Sequence, residues 1–576
     1  MKKISFIFIF IFCFLIMGLS NAENRSGDTT PISTDNNNQQ LFTANDTSLT
    51  ITNSATLTRT GQHGIHVNGK NNGTITVDSG STVTATSHNA IQGRNQSGLT
   101  VTNSGTINTD GDKAINLKGA EDSTITNNLG GIISGAGDTI SGETATGVNI
   151  ANNGTIYSDN GSALNFFSTS TATVTNNSSG HIYNSNTNEA IKLDGSSTLT
   201  NSGKIENKNS ASNNSILIVG NDNTVTLKDG SILVGTIDGG STTGNTLKFQ
   251  HGMGQGYYYK TSGDFVLQDL DGNQVVKGSA GSVCQGASET LDELLSYKSI
   301  NLRNFFNRFD KQDNQNAWGE TYVSNLKRDA HTSNLALGYD LTNFGVNLIN
   351  KIDNANFVIA FEGGKQDFVK DHKIDYQNIS AGVYLSQKNN PYLNLDLFIL
   401  GGITLKDGER TILTNTTTSG KLKVGSDYET YEIHTGIKRN NSSAIPDLGL
   451  TVSYSMTPSY DETKYFSWED KHIGNLSIFF SDDYNLIKNE DSKLFLGWTL
   501  DMRNMIGDKK QDYSINGTSA TYKQHNDLTN EISLLANMGY EKKFSDKSKI
   551  LFSLDAKNTN RYTKSLGANV SFKSKF

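Results

Sequence analysis

From Ala317 to Phe576 apolar residues return at every second position, in one segment after another. Leu448, Leu450, Val452, Tyr454 and Met456 alternate with Gly449, Thr451, Ser453 and Ser455. Leu494, Leu496, Trp498, Leu500 and Met502 are interleaved with Phe495, Gly497, Thr499 and Asp501. Ile550, Phe552, Leu554 and Ala556 alternate with Leu551, Ser553, Asp555 and Lys557. Successive side chains of a strand point to opposite faces, so each segment has one apolar face and one polar or small face. Repeated about a dozen times, the pattern describes a closed antiparallel barrel with lipid outside and a wet lumen. The chain ends in the same code, with Ala568, Val570, Phe572 and Phe576 set between Asn569, Ser571, Lys573 and Lys575.

The expected strands are Trp318–Tyr322, Leu335–Leu341, Phe357–Phe361, Ile379–Leu385, Leu393–Ile399, Tyr431–Ile437, Leu448–Met456, Leu476–Phe480, Leu494–Met502, Ile532–Tyr540, Ile550–Ala556 and Ala568–Phe576. That makes twelve, an even number, as single-chain outer-membrane barrels require. Links such as Asn389-Asn390 and Asp546-Lys547 are short, while Lys406 to Tyr428 and Gly507 to Leu528 read as long polar loops. Tyr339, Tyr392, Tyr460 and Tyr540 near strand ends are expected to form aromatic girdles.

Residues 1–22 read as a secretory signal peptide. Lys2 and Lys3 give the positive start, Ile4 to Leu19 the apolar core, and Ser20-Asn21-Ala22 the small-x-small cleavage site. Residues 23–286 form the next region. After a loose polar stretch around Asn36 to Gln40 a repeat sets in, expected over about 48–238. Asn103-Ser104-Gly105-Thr106-Ile107 returns as Asn152-Asn153-Gly154-Thr155-Ile156 and Asn201-Ser202-Gly203-Lys204-Ile205. A second motif, Ala90-Ile91, Ala114-Ile115 and Ala190-Ile191, and a third, Thr124-Ile125-Thr126 and Thr198-Leu199-Thr200, interleave with it. Each series steps by about 25 residues, a period that points to stacked repeats. Three short strands per period, each with an inward Ile, Val or Leu, describe one coil of a right-handed parallel β-helix. Asn53, Asn103, Asn152 and Asn201 recur in register and predict an Asn ladder. From about 239 to 286 the repeat fades into a hairpin-like cap over the open solenoid end.

Residues 287–310 predict a helix. Thr290 and Glu293 fit a capping box, and Leu294, Leu295, Leu302, Phe305 and Phe306 recur at near-helical spacing. Its length of about 30 Å matches a hydrocarbon core, and its place directly before the barrel (311–576) predicts that it threads the lumen.

Bulk properties narrow the function classes. Charged residues are 18% and the formal net charge is -8, so nothing suggests a nucleic-acid surface. Cys13 lies in the leader and Cys284 stands alone, so the processed chain forms no internal disulfide.

The order of signal peptide, β-helix, helix and terminal barrel resembles the monomeric autotransporters of type V secretion over the whole chain. The resemblance implies an all-β passenger, a pore helix and a twelve-stranded barrel in the Gram-negative outer membrane, with the passenger at the cell surface. It implies the Sec translocase, the outer-membrane barrel-assembly machinery and outer-membrane lipid as partners of a monomeric chain. Ala568, Val570, Phe572 and Phe576 are similar to that family's assembly signal, from which Ser574 departs. No Asn-Asn pair lies in 288–310, where some members cleave, so the passenger is expected to stay attached.

No catalytic set, cofactor or metal site is expected. Gln62-His63-Gly64-Ile65-His66 suggests a metal pair but reads better as turn or strand histidines. Asp269-Leu270-Asp271-Gly272-Asn273 and Gly135-Ala136-Gly137-Asp138 read as turns rather than calcium loops. By family analogy the solenoid acts as an adhesin toward a host-cell or matrix ligand. The alternative is a β-helical glycan lyase or hydrolase, which needs converging carboxylates. Asp78, Asp110, Asp112, Glu121, Asp159 and Asp194 look scattered.

Overall fold

The structure is a computed structural model. It describes residues 22–574 except 68, 253, 273, 279–280, 286–291, 311–316, 330–337, 353–354, 387–393, 441–444, 509, 516–520, 526–529 and 562. The chain divides into two compact units, one built mainly from residues up to Cys284 and one mainly from Gln285 onward.

The first unit is a parallel β-solenoid with three sheets. One sheet has ten strands in succession and another has eight, with neighbours one coil apart in sequence. The interleaved motifs fall on these sheets as their spacing predicts. Val83, Ile107, Ile133, Ile156, Ile182 and Ile205 stack in register through the eight-stranded sheet, each wholly buried. Full burial of such a side chain is worth about 1.5–3 kcal/mol, and stacking the coils roofs a core that one coil leaves open.

The coils start earlier and run further than the repeat indicated. Ala22–Arg25 pairs with Gln39–Phe42, and Asp28, Ile32 and Asn36 bridge to Ser48, Ile51 and Leu57. The supposed loose stretch is therefore the first coil. Glu23 organises it, accepting from Asn38 at 2.7 Å, Asn36 at 3.1 Å and Arg25 at 2.6 Å. At the other end Thr246–Gln250 and Val266–Asp269 still extend the ten-stranded sheet. Among the described residues only Val276–Gly278 with Ser282–Gln285 forms the antiparallel hairpin expected of the cap.

The Asn ladder exists with a different membership. Asn103, Asn127, Asn152, Asn176 and Asn201 are all wholly buried, and each Nδ2 donates to the next Oδ1 at 2.8 Å. Asn53 is outside it, in a turn at φ 55°, because the coil below Asn103 places Val77 in this register.

The second unit is the barrel. Its strands are β1 (Ala317–Arg328), β2 (Tyr339–Ile352), β3 (Ala355–Phe368), β4 (His372–Ser386), β5 (Leu395–Thr414), β6 (Lys421–Arg439), β7 (Asp447–Thr457), β8 (Lys471–Lys488), β9 (Ser492–Gly507), β10 (Asn530–Ser545), β11 (Ser548–Thr559) and β12 (Thr563–Ser574). Each lies beside the next, and β1 closes on β12, with Ala317 opposite Ser574 and Arg328 opposite Thr563. All twelve expected strands are present, and most are longer than expected. The second runs from Tyr339 on to Ile352, and its expected start at Leu335 lies outside the described residues. The expected loop 406–428 is mostly ladder, since β5 and β6 reach Thr414 and Lys421. The expected loop 507–528 contributes Lys510–Ile515 and Thr521–His525 to a small four-stranded sheet with Tyr460–Asp461 and Phe466–Trp468. Two girdle tyrosines are elsewhere: Tyr339 is buried, and Tyr460 stacks on Tyr428 at 4.1 Å. Tyr392 lies outside the described residues, and Tyr540 is exposed on the outer face.

Candidate functional site, the occupied barrel lumen

The barrel is inside-out relative to a water-soluble protein. Its polar alternate residues, such as Asn347, Thr404, Ser453 and Ser571, are buried, while Phe344, Leu348, Phe357, Ile359 and Leu566 stand exposed outside. A continuous exposed apolar belt on a closed barrel is a lipid-facing surface.

The lumen holds helix α1 (Asp292–Asp310). The capping residue Thr290 lies outside the described residues. Lys298, Arg303 and Arg308 are five residues apart, which turns each about 140° from the last. They therefore meet three different parts of the wall. Lys298 Nζ donates to Glu432 on β6 at 2.8 Å, and also to Thr404 on β5. Arg303 pairs with Asp501 on β9, which also accepts from Ser477. Arg308 meets Glu320 on β1 through two parallel hydrogen bonds of 2.8 and 2.6 Å, and reaches Asp555 on β11 at 3.6 Å. Both members of the first two pairs, and Arg308 and Glu320, are buried. Such pairs hold orientation because a buried charge that loses its partner costs about 3–5 kcal/mol.

Apolar contacts fix which way the helix runs. Phe305 packs on Trp318 at 5.0 Å, and Phe306 stacks on Tyr384 at 5.0 Å and Phe398 at 4.6 Å. These wall residues lie toward the mouth where β1 begins and β12 ends. At the helix's other end Leu294 and Tyr297 cluster with Leu326, Tyr339 and Phe368, at the opposite mouth. Among the described residues the spaces beside the helix are small. One of about 40 Å³ lies by Asn304, Asn307 and Arg308, and one of about 30 Å³ by Tyr297 and Asn301. These admit a few waters and no solute of any size.

The other sequence candidates are placed as follows. His63 packs edge-on against His66 at 5.4 Å and against His88 of the next coil at 5.3 Å. Asn89 N–H donates to His63 Nδ1 at 3.2 Å. That leaves the proton of the neutral ring on Nε2, so His63 has no lone pair to offer a metal. Burial first, then His66 and His88, lower its pKa to about 4. Among the described residues no group of three His, Cys, Asp or Glu is placed to hold a metal ion. Asp269 and Asp271 accept main-chain N–H bonds from Asp271 and Gly252, and Asp138 and Asp194 from Ser162 and Thr169, as turn residues do. Val570 and Phe572 point outward, 40% and 52% exposed, whereas Phe576 lies outside the described residues. Ser20 also lies outside them, and Ala22 opens the first solenoid strand.

Sequence reasoning missed the wall carboxylates. Glu320, Glu432 and Asp501 occupy the inward positions of the alternation, where a charge reads as facing water. Their only signal was the three cations spaced along a helix expected to lie in the lumen. It also missed the small sheet between β7 and β8 and between β9 and β10. There Arg410 lies against Phe466 and Trp468 and pairs with Glu462 at 2.9 Å.

The fold and its filled lumen define a class: a twelve-stranded transmembrane barrel of the outer-membrane type, plugged by its own helix, on a chain that also carries a parallel β-solenoid. The order of solenoid, lumen helix and barrel is the one expected from the sequence. Solved structures similar to this chain include the translocator domain of the autotransporter NalP from Neisseria meningitidis, at TM-score 0.36 and 11% identity over 50% of this chain and 98% of that one. The β domain of the Bordetella autotransporter BrkA gives 0.31 and 8% over 46% and 100%. The transport unit of AIDA-I from Escherichia coli gives 0.30 and 11% over 49% and 98%. Neither a protein-family profile nor a curated protein matches the sequence.

Proposed function

We propose that the barrel carries its own N-terminal solenoid across the outer membrane and displays it at the cell surface as an adhesin-like interaction module. The observation that carries this reading is the direction of α1. Its C-terminal end lies by the mouth that holds the chain's last strand end, and its N-terminal end by the opposite mouth. In this reading the chain before the helix is exported through that opposite mouth. Folding of the solenoid there gives export its direction, since a folded rod cannot re-enter a lumen that one helix fills. The Sec translocase delivers the chain after cleavage at Ala22. The barrel-assembly machinery takes it up through Ala568, Val570, Phe572 and Phe576. Because β1 closes on β12, the barrel needs no second copy to complete it.

The test is protease added to intact expressing cells, followed by membrane fractionation. Loss of residues 23 to about 286, with a heat-modifiable remnant of about 288–576 in the outer membrane, supports display. A solenoid protected until the cells are lysed refutes it.

A further inference from the structure

The outer wall of the barrel is hollowed at one edge of its apolar belt. Three cross-strand rows on β2 to β5 frame the hollow. The first row, Val346, Phe361, Ile379 and Ile403, is apolar and belongs to the belt. The next, toward the mouth at the N-terminal end of α1, reads Phe344, Gly363, Gln377 and Leu405. The third reads Thr342, Lys365, Asp375 and Asp407.

Gly363 makes the hollow. It has no side chain, and the Phe344 ring leans to within 3.0 Å of where a Cβ would stand. Phe344 and Leu405 stand to either side of it, 66% and 56% exposed. The resulting groove has a volume of about 960 Å³ and reaches Asp427 and Glu429 on β6. That is the size of a small-ligand site, about 300–1,000 Å³. Its floor is continuous with the lipid-facing belt, so its occupant in a membrane is a lipid chain rather than water, which finds no hydrogen bonds against an apolar wall.

The rim decides the headgroup. Its carboxylates are Asp375, Asp407, Asp427 and Glu429. Asp375 and Asp407 stand directly opposite one another across β4 and β5. Like charges so placed destabilise a sheet, and a cation held between them removes the cost. The nearby lysines are already engaged. Lys365 pairs with Asp367 at 2.8 Å, and Lys373 and Lys423 both reach Glu409, at 3.4 and 2.9 Å. Lys406 donates to Thr430 at 2.7 Å inside the barrel. The rim therefore repels a bare phosphate and attracts an ammonium.

We infer that this groove binds one lipid whose headgroup carries a primary amine. Its acyl chain lies over Gly363 between Phe344 and Leu405, and its ammonium lies between Asp375 and Asp407. An ammonium has three N–H donors, enough to serve both carboxylates, and pairing is stronger beside the low-dielectric membrane than in bulk water. The site lies wholly on the barrel wall. It requires the barrel to be in a membrane but does not require the solenoid to be displayed.

The experiment uses the full-length protein, stripped of lipid in detergent micelles. It is titrated with phosphatidylethanolamine, phosphatidylcholine and phosphatidylglycerol of identical chains, and bound lipid is counted by native mass spectrometry. One phosphatidylethanolamine is expected per protein, held at least about tenfold tighter than the other two, as charge-assisted hydrogen bonds allow. Phosphatidylcholine keeps the positive charge and loses the N–H donors. Asp375→Asn together with Asp407→Asn should bring phosphatidylethanolamine down to the level of phosphatidylcholine. Gly363→Leu fills the groove and should weaken all three lipids. Leu566→Ala, on the outer face of β12, should change nothing. A normal heat-modifiable band for each variant separates a lost site from a lost fold. Equal binding of the three lipids overturns the inference, as does full phosphatidylethanolamine binding by the double Asn variant. Phosphatidylglycerol binding that magnesium promotes and a chelator abolishes also overturns it, since the rim then bridges phosphate through a metal. A solenoid protected on intact cells, with the lipid preference intact, would sink display alone.

Discussion

Replacing Asn152 by alanine tests what holds the solenoid coils in register. Asn152 sits mid-ladder. Its Oδ1 accepts from Asn127 Nδ2, and its Nδ2 donates to Asn176 Oδ1 and to the Gly154 carbonyl at 3.1 Å. Alanine removes all three bonds at a site with no solvent access. Asn127 Nδ2 keeps the Gly131 and Thr155 carbonyls, and the Gly154 carbonyl keeps the His181 N–H at 2.9 Å, so the atom left bare is Asn176 Oδ1. Three lost bonds at about 0.5–1.5 kcal/mol each put Asn152→Ala at about 2–4 kcal/mol. Asn201 ends the ladder and accepts from Asn176 Nδ2 and Gly203 N–H, so Asn201→Ala should cost about 1–2 kcal/mol. Val77 and Leu227 fill this register in the flanking coils, so an apolar side chain is sterically acceptable there and the cost belongs to the hydrogen bonds. The assay is protease susceptibility of the full-length protein across a urea series, read on the solenoid fragment. Asn152→Ala within about 0.5 kcal/mol of wild type would refute the reasoning, since that is the scatter of a neutral surface change. Equal costs at positions 152 and 201 would show that the cost does not follow the number of ladder bonds lost.

Acid should weaken the early coils. His63 titrates at about 6.5 when unfolded and about 4 when folded, so below 6.5 the unfolded chain takes up a proton that the folded chain refuses. Stability is therefore full above 6.5 and falls as pH drops toward 4. Hydrogen exchange of residues near His63 that is flat over this window counts against the packing described. In the lumen, Arg308→Met should lower barrel stability by about 3–5 kcal/mol, and adding Glu320→Leu should recover most of it. The temperature at which the heat-modifiable band shifts reads this, and a double variant as weak as the single one refutes it. Gly345 faces Tyr322, whose ring would overlap an added Cβ. Gly345→Val should cut the yield of folded barrel, and a normal yield of the heat-modifiable form would show that Tyr322 moves aside freely.

The amino-acid sequence by itself determined the periodicities. A period of two is a property of one extended strand, and a period of about 25 is a property of one coil, so both can be read without knowing what pairs with what. The twelve barrel strands, the three strands per coil and the lumen helix follow from such local facts. Tertiary structure alone decided lengths, partners and membership. β5 and β6 run through a stretch whose composition reads as loop because a neighbouring ladder supplies their hydrogen bonds. Asn127 and Asn176 join the ladder, and Asn53 leaves it, because register between coils is set by stacking and not by spacing along the chain. Glu320 belongs with Arg308, 12 residues back, and with Ser571, 251 residues on, because closure of the barrel brings β1 against β12. Local geometry fixes which way a side chain points, but only the closed sheet fixes what it meets.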